Sequence, residues 1–205
     1  MVLEVVKNES KNRDDSLNKC LEELNVNLSE VYYYTIEETS GLFGKKKYTS
    51  FVVTKYAVKE YIRSFLKELS NKMNTIFNVE VNESDGIISV LVVSDNNAIL
   101  IGKDGQTLKS IQMILRQSLR KYGNFDVKVN LDIAGYKEKR ERNIMHEVKK
   151  IAREVRRSHV DAKLDPMNSC ERIIVHTSLA NYKNIETESE GEDPNRYVVI
   201  KYNEE

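Results

Sequence analysis

An α+β fold assembled from small units in series is what this chain predicts, and three observations carry that expectation. At roughly 100 to 200 residues per domain, a chain of 205 residues allows one ordinary domain or two to three small ones. Stretches with the 3.6-residue period of helices alternate along the whole length with short stretches rich in Val, Ile, Thr and Tyr. Hydrophobic residues make up 40%, and 32 Lys and Arg are balanced by 32 Asp and Glu, so the composition that drives disorder is absent.

The first unit reads strand, helix, strands. Val2 to Val6 is expected as a short strand, and Ser16 to Leu24 as a helix capped by Asp14 or Asp15, with Leu17, Cys20, Leu21 and Leu24 at spacings of three and four. Val31 to Ile36 and Tyr48 to Tyr56 suit a pleated surface. Gly41 to Lys47 forms the hairpin loop between them. Its tip, Leu42 and Phe43 beside Lys45, Lys46 and Lys47, is either a contact for protein, ribosome or anionic lipid or is folded back on the sheet.

A helix follows from Val58 to Met73, with Tyr61, Ile62, Phe65, Leu66 and Leu69 on one side. Phe77 to Glu83 and Ile87 to Val93 are strands turned by Ser84-Asp85-Gly86. Asn97 to Ile101 is a short helix broken at Gly102-Lys103-Asp104-Gly105, and Gln106 to Tyr122 is a longer one closed by Gly123, with Leu108, Ile111, Leu115 and Leu119 inward. Val127 to Ile133 alternates as a half-buried strand. After Ala134-Gly135 a basic helix runs from Lys137 to about Lys163, its apolar line Ile144, Val148, Ile151, Ala152 and Val155. Strands are expected at Glu171 to Thr177, Asn184 to Glu188 and Arg196 to Tyr202, the last two joined by a turn at Gly191 to Asn195.

The zero net charge hides an asymmetry. Residues 101 to 163 hold sixteen Lys and Arg against eight Asp and Glu, whereas residues 164 to 205 hold four against nine. A basic face for a polyanion beside an acidic surface is one reading, and a solvated helix face the other. No run of about 18 apolar residues occurs and Glu4 breaks the opening Met1-Val2-Leu3, so neither a spanning helix nor a signal peptide is expected and the cytoplasm is the default compartment. Cys20 and Cys170 stand 150 positions apart with no CxxC, which predicts ordinary thiols and no cysteine zinc site. Catalysis, cofactor and metal are not expected. His146-Glu147 begins a zincin-like motif, but Lys150 takes the place of its second ligand, and no GxSxG occurs.

Two motifs point to nucleic acid. Gly102-Lys103-Asp104-Gly105 lies between two helices within the order helix, strand, strand, helix, helix, strand, preceded by Ile99, Leu100 and Ile101. Arg172 and His176 are four apart, which on the expected strand puts both on one polar face about 13 Å apart, with Ile173 and Val175 toward the core.

The first resembles the loop of a KH domain of type II arrangement (αββααβ) over about residues 57 to 134. The resemblance implies that Gly102 and Gly105 admit a nucleic-acid backbone, that Lys103 and Lys109 supply charge, and that Ile99 and Ile101 line the groove. Arg172 and His176, flanked by Asp165-Pro166-Met167, Thr187 to Gly191 and Pro194 to Ile200, resemble an R-xxx-H single-strand module, with Arg196 as a third contact. With these segments the chain resembles the Jag family, also called SpoIIIJ-associated or Khp-type RNA-binding proteins, in three domains: 1 to 54 (with Gly41-Leu42-Phe43-Gly44-Lys45-Lys46), 57 to 134 and 136 to 205. The family usually has two consecutive Arg where this chain has Arg172-Ile173. The resemblance implies a bacterial cytoplasmic RNA chaperone or regulator of single-stranded RNA, linked to cell elongation, envelope processes or sporulation. It implies a small KH-domain partner, a membrane insertase or a second copy of the chain as partners. An adaptor docking an insertase or ribosome through Leu42, Phe43, Lys45 and Lys46 is the competing expectation.

Overall fold

The structure, a computed structural model, describes residues 2–40 and 45–204. It divides into two compact units, the boundary falling between Ala134 and Gly135.

The first unit opens with β1 (Val6–Ser10), α1 (Arg13–Leu24), β2 (Val31–Ser40) and β3 (Lys45–Thr54), whose strands form an antiparallel sheet in the order β1-β3-β2. Cys20 of α1 packs on Val31 and Val52, with Val6, Leu17, Leu21 and Leu24 around them. Beneath the helix the buried hydroxyls of Ser16 and Ser50 hydrogen-bond to each other at 2.7 Å, and Thr35 joins Ser50 at 3.0 Å. The first strand starts at Val6, where the sequence reading ends it. The helix begins at Arg13 because Asn12, rather than Asp14 or Asp15, is the N-cap, its side chain accepting from the Asp14 amide at 2.8 Å. Lys45, Lys46 and Lys47 belong to β3 rather than to a loop. Lys46 is paired to Glu37 at 2.7 Å and Lys47 to Glu9 at 2.6 Å, contacts that hold both carboxyls below their usual range. Leu42 and Phe43 lie outside the described residues.

The same unit continues through α2 (Lys55–Met73), β4 (Phe77–Ser84), β5 (Ile87–Ser94), α3 (Asn97–Ile101), α4 (Gln106–Arg120) and β6 (Lys128–Ile133). β5 is central, antiparallel to β4 and parallel to β6, with Ile88 opposite Val129. Alternation puts Ile88, Val90 and Val92 of β5 and Val129, Leu131 and Ile133 of β6 in the core, against Val58, Ile62 and Leu66 of α2 and Leu108, Ile111, Leu115 and Leu119 of α4. α2 starts three residues early because the Thr54 hydroxyl caps it, accepting from the Ala57 amide at 3.0 Å. α4 ends at Arg120 with Lys121, not Gly123, as its C-cap. Gly123 serves another purpose: at φ +152° a Cβ there would come within 2.8 Å of the Tyr34 ring.

That ring joins the first sheet to the second layer. Tyr34 stacks on Phe51 at 4.8 Å and receives Phe125 edge-on at 5.0 Å, while Lys55 pairs with Glu83 at 2.7 Å. Beside them the Tyr32 hydroxyl is buried with no hydrogen-bond partner among the described residues, and burial, with the Glu83 carboxylate next, pushes its pKa to about 12. Replacing Tyr32 by Phe should leave stability unchanged or raise it by up to about 1 kcal/mol, because an unpaired buried hydroxyl is removed at nearly constant shape. Urea unfolding of the two proteins checks this; a loss above about 1 kcal/mol would show that the hydroxyl has a partner.

The second unit holds α5 (Tyr136–Ser158), β7 (Ala162–Lys163), α6 (Ser169–Leu179), β8 (Ile185–Glu190) and β9 (Tyr197–Tyr202), its antiparallel sheet ordered β7-β9-β8. Ile144, Val148, Ala152 and Val155 of α5 meet Val175 and Leu179 of α6 and Val198 and Ile200 of β9. α5 stops at Ser158, where His159 turns left-handed and stacks on Tyr202 at 4.0 Å.

The principal correction falls on Glu171 to Thr177, which is not a strand but the body of α6. Ile173-Ile174-Val175 favours a strand locally, yet Asn168 and Glu171 form a capping box. The Asn168 side-chain Oδ1 accepts from the backbone amides of Cys170 and Glu171 at 3.0 and 3.3 Å, and the Glu171 carboxylate accepts from the Asn168 backbone amide at 3.1 Å. Helical spacing then buries Arg172, Val175 and Leu179 and turns Ile173 outward at 63% exposure, against the expected inward Ile173.

Candidate nucleic-acid interface

The turn from β5 into α3 is tied by side chains. Asn97 accepts from the Ser94 amide at 2.8 Å, Ser94 from the Asn96 amide at 3.0 Å, and Asn96 caps α3 through the Ile99 amide at 3.4 Å. Buried Leu100 anchors α3, leaving Ile99 52% exposed and Ile101 half-buried. The chain then leaves the helix at Gly102, φ +69° and ψ −176°, a conformation almost confined to glycine. A Cβ on Gly102 would stand 2.1 Å from the Thr107 hydroxyl oxygen. Gly105, buried at φ +74°, is the N-cap of α4 and offers no side chain to it. Lys103 and Asp104 are exposed between the glycines, and Lys109 is exposed on the first turns of α4. Ile99, Ile101, Gly102, Lys103, Gly105 and Lys109 are thus brought together around one helix N-terminus, where amides and dipole favour an anion.

Arg172, His176 and Arg196 form a different kind of site. Being on a helix, Arg172 and His176 are separated by about 6 Å of rise rather than 13 Å. Arg172 is 8% exposed and donates to the Met167 carbonyl at 2.9 Å and to Asp193 at 3.4 Å. The Met167 amide in turn donates to the Arg196 carbonyl at 3.0 Å, so Met167 joins the two arginines. The Arg196 Nε is buried with no partner among the described residues. His176 bridges to β8, one ring nitrogen to Thr187 at 2.7 Å and the other to Ser189 at 2.8 Å. Glu171 extends the cluster, accepting from Arg140 of α5 at 2.9 Å. Both ends of the Arg172–His176 pair are therefore committed to protein partners, pinning α6 to the β8–β9 hairpin. Glu171 and Arg140 escape the sequence reading; the signal for the first is the Asn168-x-x-Glu171 spacing, which marks a helix start.

The acidic strand β8 is partly neutralised from within its own sheet. Lys201 donates to Glu188 at 2.5 Å and contacts Glu190 at 3.4 Å, and the Glu188 carboxyl is held below its usual range by that lysine. Among the described residues no three His, Cys, Asp or Glu side chains gather as a metal site, and no helix is long and apolar enough to cross a membrane.

Comparison with known proteins gives these features a family. Residues 59–133 match the model for the KhpA/KhpB KH domain, and residues 142–202 match the model for the R-xxx-H domain. An RNA-binding protein KhpB of Clostridium symbiosum is 32% identical over 201 residues, covering 96% of this chain and 90% of its own. The chain belongs to the KhpB family. The KhpB of Bacillus subtilis (strain 168) is 30% identical, with 94% of this chain and 95% of its own length covered. That of Lactiplantibacillus plantarum is 31% identical over 144 residues, which is 70% of this chain and 44% of that longer protein. The KhpB-type KH match contains the whole Gly102–Gly105 loop, and the R-xxx-H match contains Arg172, His176 and Arg196 as well as most of α5.

Proposed function

We propose that this protein binds RNA, holding a single strand at the Gly102–Gly105 loop. The observation that carries the proposal is the backbone there: two glycines at positive φ keep side chains away from the start of α4, while Lys103 projects beside it and Ile99 stays exposed on the approach. That arrangement fits a phosphate at the helix N-terminus and a base against an apolar side chain. The names of the KhpB relatives, RNA-binding proteins, point the same way. In this reading the chain works as three domains, with residues 57 to 134 as the RNA-holding one. Arg172, His176 and Arg196 shape the third rather than reaching far into solvent.

Changing Lys103 to Asp places two acids between the glycines. Affinity for an unstructured RNA oligonucleotide should fall about tenfold, the worth of one charge-assisted contact, with an unchanged melting temperature because Lys103 is exposed. Fluorescence anisotropy titration checks it. Equal affinities of the two proteins would remove the loop from the binding surface.

A further inference from the structure

The outer face of α5 carries a charge pattern that neither its fold nor the loop site uses. At about 100° per residue, Lys139, Arg142, Lys149, Lys150, Arg153 and Arg157 fall within one arc of about 100°, and all six are exposed. The only other residue of α5 inside that arc is His146, also exposed. Glu138, Glu141, Glu147 and Glu154 all lie outside it. The arc stands nearly opposite Ile144, Val148, Ala152 and Val155, which are buried in the core. At about 1.5 Å per residue the stripe is about 27 Å long.

A helix face that needs only to stay wet interleaves signs, because opposite charges four residues apart support a helix and like charges weaken it. Here Lys149, Arg153 and Arg157 follow one another at that spacing. Cations at the first turns, Lys139 and Arg142, also oppose the helix dipole, which Arg157 alone is placed to favour. Among the described residues these six form one ion pair, Arg142 with Glu138, at 3.8 Å and largely exposed. Like charges crowded along one line in this way are relieved by an anionic ligand of comparable length.

We infer that the outer face of α5 is a second nucleic-acid contact, a phosphate-backbone track that starts just before the part of the chain that matches the R-xxx-H domain and runs into it. The inference rests on the RNA-binding reading above. The six cations of the stripe carry only donors and His146 is the one ring among them, so the stripe grips phosphates through charge rather than through an array of stacked bases; it treats sequences alike and does not separate RNA from DNA. Anionic lipid is disfavoured as the occupant because a membrane-lying helix inserts its apolar face, and that of α5 is already spent on the core.

The test uses the full chain with Lys149, Lys150, Arg153 and Arg157 all changed to Gln, which keeps helix propensity. Wild type, this variant and K103D are titrated with an unstructured 20-nucleotide RNA and its DNA counterpart between low and physiological salt. At about 0.7 per phosphate contact, losing three to four contacts flattens the slope of log affinity against log salt by about 2 to 3, equally for RNA and DNA. At low salt affinity falls at least tenfold. In K103D the slope changes by about 1 at most. An unchanged slope in the Gln variant, with binding still sensitive to K103D, would overturn the stripe and leave the RNA reading standing. Wild type that binds no RNA at all would sink that reading and the stripe with it. Stripe-dependent sedimentation with phosphatidylserine vesicles in place of RNA binding would make α5 a membrane face and overturn the inference. Should the variant fold poorly, acylation footprinting of the wild-type protein decides. RNA should protect Lys139, Lys149 and Lys150 but not exposed Lys19 on α1, and equal labelling with and without RNA refutes the track.

Discussion

Replacing Arg172 by Ala should lower the stability of the second unit by about 2 to 4 kcal/mol, the range for taking away a buried, charged hydrogen-bond donor and its aliphatic stem. The Met167 carbonyl loses its donor at 2.9 Å, Asp193 loses its counter-ion, and a space opens beside Met167. The adjoining buried Glu171 stays tied to Arg140, so the effect should remain local to the start of α6 and the β8–β9 hairpin. Lysine at 172 should recover part of the loss, since an ammonium can reach one acceptor but lacks the planar fork. His176→Ala should cost less, about 1 to 2 kcal/mol, because Thr187 and Ser189 are only half-buried and water can replace the ring. Thermal and urea unfolding of the full chain measures all three. The outcome that would sink this account is an unaltered melting profile together with lost RNA affinity, which would make Arg172 a free ligand contact instead of a pin.

The contrast between the two motifs shows what a sequence can and cannot carry. Around Gly102–Gly105 every level agrees: the Leu108, Ile111, Leu115 and Leu119 line reads as helix, Ile87 to Val93 reads as strand, and two glycines mark the break, so element order and inward residues are all legible. Around Arg172 the levels conflict. Three β-branched residues in a row favour a strand, while a capping box, and a core that needs Val175 and Leu179 on one side, favour a helix. Tertiary packing decides, and with it the meaning of the Arg–His spacing changes from an open polar face to a pair of struts, Arg172 buried and His176 half-buried. The partners of those struts, Thr187, Ser189 and Asp193, lie 11 to 21 positions away, and no local pattern announces such contacts. The α5 stripe lies between these cases: the basic helix and its apolar line of Ile144, Val148, Ala152 and Val155 are legible in the sequence, but the opposite arc is fixed in solvent only by the α6 and β9 residues that close the core over that line.

Gly102→Ala should destabilise the first unit by about 3 kcal/mol or more, from two separable causes. The backbone at φ +69° and ψ −176° costs a residue with a side chain about 1 to 3 kcal/mol. The new Cβ also meets the Thr107 hydroxyl oxygen at 2.1 Å, its Cβ at 2.9 Å and its amide nitrogen at 3.0 Å, so α4 or the loop must move. Gly86→Ala supplies the comparison: that glycine also has positive φ, at +74°, but nothing stands within 4 Å of its added Cβ, so only the backbone cost of about 1 kcal/mol remains. Adding Thr107→Ala to Gly102→Ala removes the closest contact and leaves the other two, which predicts partial rescue. Urea unfolding of the wild type and these three variants resolves the contributions. Equal small losses for Gly102→Ala and Gly86→Ala would show that Thr107 swings away freely and that packing does not demand this glycine. A large loss that Thr107→Ala partly restores would mean that Gly102 is required by the fold itself, before any nucleic acid approaches the loop. In that case RNA affinity is read from Lys103 variants, where no backbone constraint interferes.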